Sequence, residues 1–182
     1  MKRILVILAD GFEEMEGVIV IDVLRRAGFD VVSAGLHDGA ILASRNTRHL
    51  ADRNLDDVLT ETFDMIVLPG GAPGAKALSS DARVRSLLDS FHKNGGLIGA
   101  ICAAPNVLRS LGIIHGEVPF TMHPGPYPEE KGGHYTKDRL VRYKTITTSI
   151  GPGSAFEFAL DLVEQLGGRE LKEKISAPMH LP

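Results

Sequence analysis

The chain has 182 residues, 43% hydrophobic and 24% charged, with 20 Lys and Arg against 23 Asp and Glu for a net charge of −3. Length and composition suit one globular domain over residues 1–182, not a disordered or fibrous chain. The charges are dispersed and aromatics few, so nothing marks a nucleic-acid surface, and the apolar stretch 4–9 is far short of the roughly 20 residues that span a membrane.

Nothing at the start reads as a signal peptide, and a single cysteine forbids an internal disulfide and any CxxC pair. A lone thiol suits a reducing compartment, so the expectation is a cytoplasmic protein that engages neither nucleic acid nor membrane.

Five short apolar runs read as strands: 3–9, 30–36, 64–68, 96–101 and 145–149. Most are continuous rather than alternating, as in parallel strands covered on both faces. Helical periodicity falls between them at 14–27, 82–93, 103–111 and 154–166. The alternation predicts an α/β fold with a doubly wound, mostly parallel sheet and helices on both faces. Segments 41–51 and 139–143 add strands or a hairpin at the edges, and 123–133, rich in Pro and Gly, reads as a surface loop.

In open α/β sheets, ligands bind beyond the carboxyl ends of the strands. At the fourth strand end, Gly99-Ala100-Ile101-Cys102-Ala103-Ala104-Pro105 passes from a buried strand through small residues into a helical pattern, as at a nucleophile elbow. A thiol at a helix N-terminus is expected to have a lowered pKa. The local pattern equally fits a small apolar Cys closing a core strand. Gly70 and Gly71 suit either backbone donors for a ligand oxygen or a plain turn. No GK[ST] follows GGAPG and no GxGxxG follows the first strand, so nucleotide binding has no support.

Glu13, Glu14 and Glu16 open the first helix, where acidic residues complement the dipole; one of them turned toward the sheet edge would sit beside the thiol with a raised pKa. His123 and His134 flank the Pro/Gly loop and either can act near neutral pH. No clustered Cys/His spacing supports a metal site, and no cofactor is called for. Ser154 and Glu157 have capping-box spacing.

Taken together, VILADGFEEMEG, IDVLRRAGFDV, Ser44-Arg45, VLPGG, LIGAICAAP, the histidine of TMHPG, GGHYT and GPGSAFEFAL closely resemble the ThiJ/PfpI superfamily, in the branch of the parkinsonism-associated protein deglycase and its bacterial relatives. The resemblance covers nearly the whole chain and implies a flavodoxin-like sandwich, usually a homodimer. It assigns Cys102 as nucleophile on a strained elbow, Glu16 as the protonated carboxyl beside it and His123 as the third polar member. Gly71 with Cys102 or Ala103 supplies backbone donors, and Arg45 matches a basic residue near the pocket. Gly17 stands beside Glu16 where the family carries a larger residue.

The activity so implied is conversion of methylglyoxal or glyoxal to hydroxy acids (glyoxalase III), or repair of glycated protein side chains, without cofactor. A redox-sensor or chaperone role through Cys102 oxidation is the alternative. An amidotransferase or peptidase reading ranks last, because Ala103 stands where the peptidase branch has a histidine. The first helix adds its own argument for a dimer: Val18, Ile19, Val20, Ile21, Val23 and Leu24 fall all round its circumference, more than one sheet-facing stripe requires.

Overall fold

From Ile4 to Leu8 every side chain of the first strand is buried, which is why its sequence does not alternate. The computed structural model describes residues 1–125 and 132–181. Its elements run β1 (Arg3–Leu8), α1 (Glu14–Arg26), β2 (Asp30–Gly35), β3 (Ala40–Leu42), β4 (Arg48–Leu50), β5 (Arg53–Asn54), β6 (Met65–Leu68), α2 (Ala72–Ser80) and α3 (Ala82–Lys93). They continue with β7 (Leu97–Ile101), α4 (Pro105–Ser110), β8 (Pro119–Phe120), β9 (His134–Tyr135), β10 (Leu140–Tyr143), β11 (Ile146–Ser149), α5 (Ala155–Gly167) and α6 (Arg169–Ser176).

Among the described residues seven strands form the main sheet in the order β10-β11-β7-β6-β1-β2-β5. All its pairings are parallel except that of the edge strand β10 with β11. The period of two along β1 divides the core. Leu5 and Ile7 join Leu78, Val84, Leu88 and Val107 from α2, α3 and α4 on one face. Ile4 and Val6 join Val20, Leu24, Phe158 and Leu162 from α1 and α5 on the other. This is the expected flavodoxin-like, doubly wound arrangement with helices on both faces.

The expected edge segments resolve into two different features. Segment 41–51 folds back as the antiparallel hairpin β3–β4, apart from the main sheet, while 139–143 supplies β10. Two helices were not foreseen. Ala72-Pro73-Gly74 reads as loop but opens α2, with Pro73 in the first turn where its missing N–H costs nothing. The strongly polar α6 buries only Ile175. Of the expected loop 123–133, residues 126–131 lie outside the described residues.

The expected capping box at Ser154 and Glu157 is corrected. Ser154 Oγ donates to Gly151 O at 2.8 Å instead of capping α5, and Glu157 accepts from Arg139 at 3.0 Å. Helix α1 shows how its apolar circumference is used. Val20, Val23 and Leu24 are fully buried, each worth roughly 1.5–3 kcal/mol of transfer free energy. Met15 and Val18 remain 54% and 46% exposed.

Candidate active site

Strands β1, β6 and β7 are neighbours, so their carboxyl ends bring three turns together: 9–13, 69–71 and 102–104. The last turns in a conformation that side chains avoid. Cys102 has φ +63°, a left-handed backbone that costs of order 1–3 kcal/mol outside glycine and is held by what surrounds it. Its N–H donates to Ser149 O at 2.9 Å and its carbonyl accepts the His123 N–H at 2.9 Å, fixing both sides of the peptide. Pro105 opens α4 three residues later. Cys102 is 8% exposed, a narrow opening.

The second turn needs its glycines. A Cβ on Gly70 would lie 2.5 Å from Cys102 Cβ and 2.7 Å from Glu16 Oε2, and Gly71 has φ +86° with a virtual Cβ 2.2 Å from Gly11 O. The close approach puts the Gly70 N–H on Glu16 Oε2 at 2.7 Å, while the Gly71 and Ala103 amides act on the Cys102 sulfur. The paired glycines therefore serve as backbone donors, to two different acceptors.

Glu16 is the carboxyl that turns into the sheet edge, with no exposed surface. Glu14 turns the other way, accepting from Ser44 Oγ, Thr47 Oγ1 and the Arg45 N–H of the β3–β4 hairpin. Glu13 caps α1, its carboxylate accepting the Glu16 N–H at 2.9 Å. Gly17 has a packing reason: its virtual Cβ would meet the Phe12 ring at 2.7 Å, so the ring fills the space beside Glu16.

Burial pushes Glu16 up to about 7, and the charge of Glu13 adds to it against the Gly70 and Cys102 hydrogen bonds. The expected lowering of the thiol pKa is corrected: burial first, then the Glu16 carboxylate, push Cys102 up to about 12. The two groups thus compete for one negative charge. On Glu16 the charge is met by the Gly70 N–H and the thiol. On sulfur it is met by the Gly71 and Ala103 amides and by a protonated Glu16, whose Oε1 is otherwise buried without a partner. Of the two groups Glu16 releases its proton first; the Gly71 and Ala103 amides oppose that order without reversing it.

His123 is tied to the elbow by its backbone, and its ring is exposed near Gly151, whose virtual Cβ lies 3.7 Å from His123 Cδ2. Arg45 is exposed, with its guanidinium donating to Ser44 O at 3.3 Å. The structure therefore brings Cys102, Glu16, Gly71 and Ala103 together, sets His123 beside them through its main chain, and holds Arg45 on the hairpin. The part played by Glu13 was missed by sequence reasoning, although the Glu13-x-x-Glu16 spacing of a capping interaction was legible. Among the described residues no cluster of three His, Cys, Asp or Glu could hold a metal, and no helix is long and apolar enough to cross a membrane. A groove of about 260 Å³ lies elsewhere, beside α1, lined by Val18, Ile21, Arg25, Leu50 and Asp52 among others.

An α/β sandwich with a strained cysteine elbow facing a buried carboxyl defines the class. The chain matches the DJ-1/PfpI family over residues 2–165 and belongs to that family. It is 44% identical over 178 residues to protein dj-1beta of Drosophila melanogaster, covering 96% of this chain and 95% of the relative. The crystal structure of that Drosophila protein superposes with a TM-score of 0.94, at 42% identity over 100% of this chain and 98% of that one. A Caenorhabditis elegans relative, named glutathione-independent glyoxalase DJR-1.2, is 40% identical over 169 residues, covering 93% of this chain and 90% of its own. The oxidized structure of Toxoplasma gondii DJ-1 superposes with a TM-score of 0.88, at 37% identity over 98% of both chains.

Proposed function

We propose that the protein is a cofactor-independent enzyme of glyoxalase III or deglycase type, acting on methylglyoxal, glyoxal or their adducts on protein side chains and releasing hydroxy acids. The observation that carries this reading is the fully buried Glu16, with a pKa raised to about 7, against the sulfur of a strained Cys102. The glyoxalase name of the Caenorhabditis relative points the same way.

In this mechanism the Cys102 thiolate attacks the aldehyde carbon of methylglyoxal and a C–S bond forms. The carbonyl oxygen takes the Glu16 proton, giving a hemithioacetal, while the Gly71 and Ala103 amides stabilise the developing oxyanion. A base, assigned to His123, removes the C1 proton; the resulting enediolate is reprotonated at C2, leaving a thioester. Water cleaves the C–S bond to release lactate and restore the thiol. One carbon is oxidised and its neighbour reduced, so no external oxidant is needed.

A cytoplasmic homodimer accompanies the proposal, its supports being the lone thiol, the exposed Val18 and Leu50 that line the α1 groove, and the exposed Met15 of the same helix. Arg45 would then approach the site from the hairpin or across that interface.

The second reading, a redox sensor, is favoured by the same neutral Glu16, which can donate to a Cys102 sulfinate formed with two equivalents of peroxide. The oxidized Toxoplasma relative supports it. His123 separates the two, since oxidation does not need a base. Lactate formation from methylglyoxal should collapse in Cys102→Ser and fall by on the order of a hundredfold in His123→Ala, with peroxide oxidation of His123→Ala unchanged. Absence of turnover by the wild type, with sulfinate formed normally, would leave the sensor as the function.

A further inference from the structure

Glu13 occupies a position where a shorter side chain suffices. At helix N-caps Ser, Asp and Asn satisfy the free amides, and none requires a long carboxylate withdrawn from water. Here the cap is a glutamate, 8% exposed, three residues before a second buried glutamate.

The hydrogen bonds close on themselves. Glu13 Oε2 accepts the Glu16 N–H at 2.9 Å, the Glu13 N–H donates to Gly70 O at 2.9 Å, and the Gly70 N–H donates to Glu16 Oε2 at 2.7 Å. Cys102 lies at the edge of this ring, since a Cβ on Gly70 would stand 2.5 Å from the Cys102 Cβ. Placing two carboxylates so close in a buried site disfavours ionising both, because their repulsion is poorly screened there.

The hydrogen bonds of Gly70 and Cys102 to Glu16 work against the effect. The charged neighbours acting on Glu16 are Glu13 from its own helix and Cys102 from the sheet edge, while the 69–71 turn presents amides. Glu14 is engaged with the hairpin that carries Ser44 and Arg45, and the loop after Cys102 offers the His123 N–H to a carbonyl, with its ring exposed.

We infer that Glu13 is a positioning residue for the Cys102–Glu16 pair: its capping carboxylate fixes where the Glu16 carboxyl sits, and its charge opposes ionisation of that carboxyl, biasing the shared negative charge toward sulfur. The inference deepens the proposed function and rests on Cys102 as the reactive group, but not on any particular substrate. Electrostatically, Glu13 acts on Glu16, raising its pKa.

The test is the rate of Cys102 alkylation by iodoacetamide, from about pH 5 to about pH 9, in wild type, Glu13→Gln and Glu13→Ala, alongside methylglyoxal turnover and thermal unfolding. Glutamine keeps the acceptor for the Glu16 N–H and removes the charge. The expected result is that Glu13→Gln melts with the wild type yet alkylates on the order of three- to tenfold more slowly at neutral pH, because loss of the Glu13 charge eases ionisation of Glu16 beside the thiol. Glu13→Ala should lose both thermal stability and reactivity. Glu13→Gln alkylating at the wild-type rate across the pH range, with only Glu13→Ala impaired, would reduce Glu13 to a helix cap and overturn the inference. Should no protein turn over methylglyoxal while the alkylation difference persists, the proposed reaction fails and the role of Glu13 stands.

Discussion

Glu16 costs the fold something to keep. Its carboxyl ionises at about 7 in the folded protein against an ordinary 4.5, so its contribution to stability is intact below about 4.5 and is lost as pH rises through about 7. At about 1.4 kcal/mol per pKa unit the loss is roughly 3 kcal/mol. Glu16→Gln, neutral at every pH, should therefore unfold at a higher temperature than the wild type at pH 8 and nearly equal it at about pH 4, while losing activity. A melting-temperature difference that does not grow across this interval would show that Glu16 is not buried in ionised form. The small residues between a strand and a helix fitted either a nucleophile elbow or a core cysteine at Cys102, and the family resemblance chose between them. Glu16 was not separable from Glu13 and Glu14 by pattern, because its inward direction follows from a cap and a glycine turn more than fifty residues away in sequence. Nor was the rise in thiol pKa legible, since proximity to a helix start suggests the opposite until the neighbouring carboxylate is in place.

At the scale of elements, the parallel strands were legible because two-sided burial demands continuous apolar runs. Helix α2 was hidden because Pro73 and Gly74 imitate a loop. Gly74 is there for contact, its virtual Cβ falling 2.7 Å from Phe12 N. Helix α6 was hidden by polarity, with a single buried Ile175. The β3–β4 hairpin was half legible, and its attachment carries a pH dependence. Asp10 Oδ1 accepts the Leu42 N–H, while His37 Nε2 lies 3.0 Å from Asp10 Oδ2 and His37 Nδ1 lies 2.8 Å from Asp38 O. Both partners of the imidazole are acceptors, so the ring must donate from both nitrogens and be protonated. The Asp38 carbonyl and then the Asp10 carboxylate raise its pKa. That stabilisation is complete below the unfolded histidine pKa and is lost as pH rises through the folded one; exposure of the pair keeps it small. His37→Gln should therefore be less stable than the wild type at about pH 5.5, and the gap should close by about pH 9. An equal gap at both would assign His37 a purely packing role.

For the whole molecule, the exposed apolar surface gathers around α1. Met15 and Val18 of the helix that carries Glu16 expose 54% and 46% of their surface, and Leu50 of β4 exposes 78%; Val18 and Leu50 line a groove of about 260 Å³. The proposed dimer predicts that Val18→Lys is folded, monomeric by light scattering at micromolar concentration, and less active. Val20 is unsuitable for this test: it is fully buried, so lysine there would disrupt the core whether or not a partner exists. A wild type that is itself monomeric would end the dimer proposal.

The central claim is that Cys102 carries the chemistry, with Glu16 and its amide neighbours preparing the sulfur. Its most direct measurement is the rate of lactate formation from methylglyoxal by wild type and by Cys102→Ser, with circular dichroism confirming that both are folded. The account predicts steady turnover by the wild type and loss of at least about a thousandfold in the serine variant, whose hydroxyl is far less acidic than a thiol and is not ionised by these donors. Retention of even about a tenth of the wild-type rate by Cys102→Ser would contradict it, because the reaction would then be carried by another group.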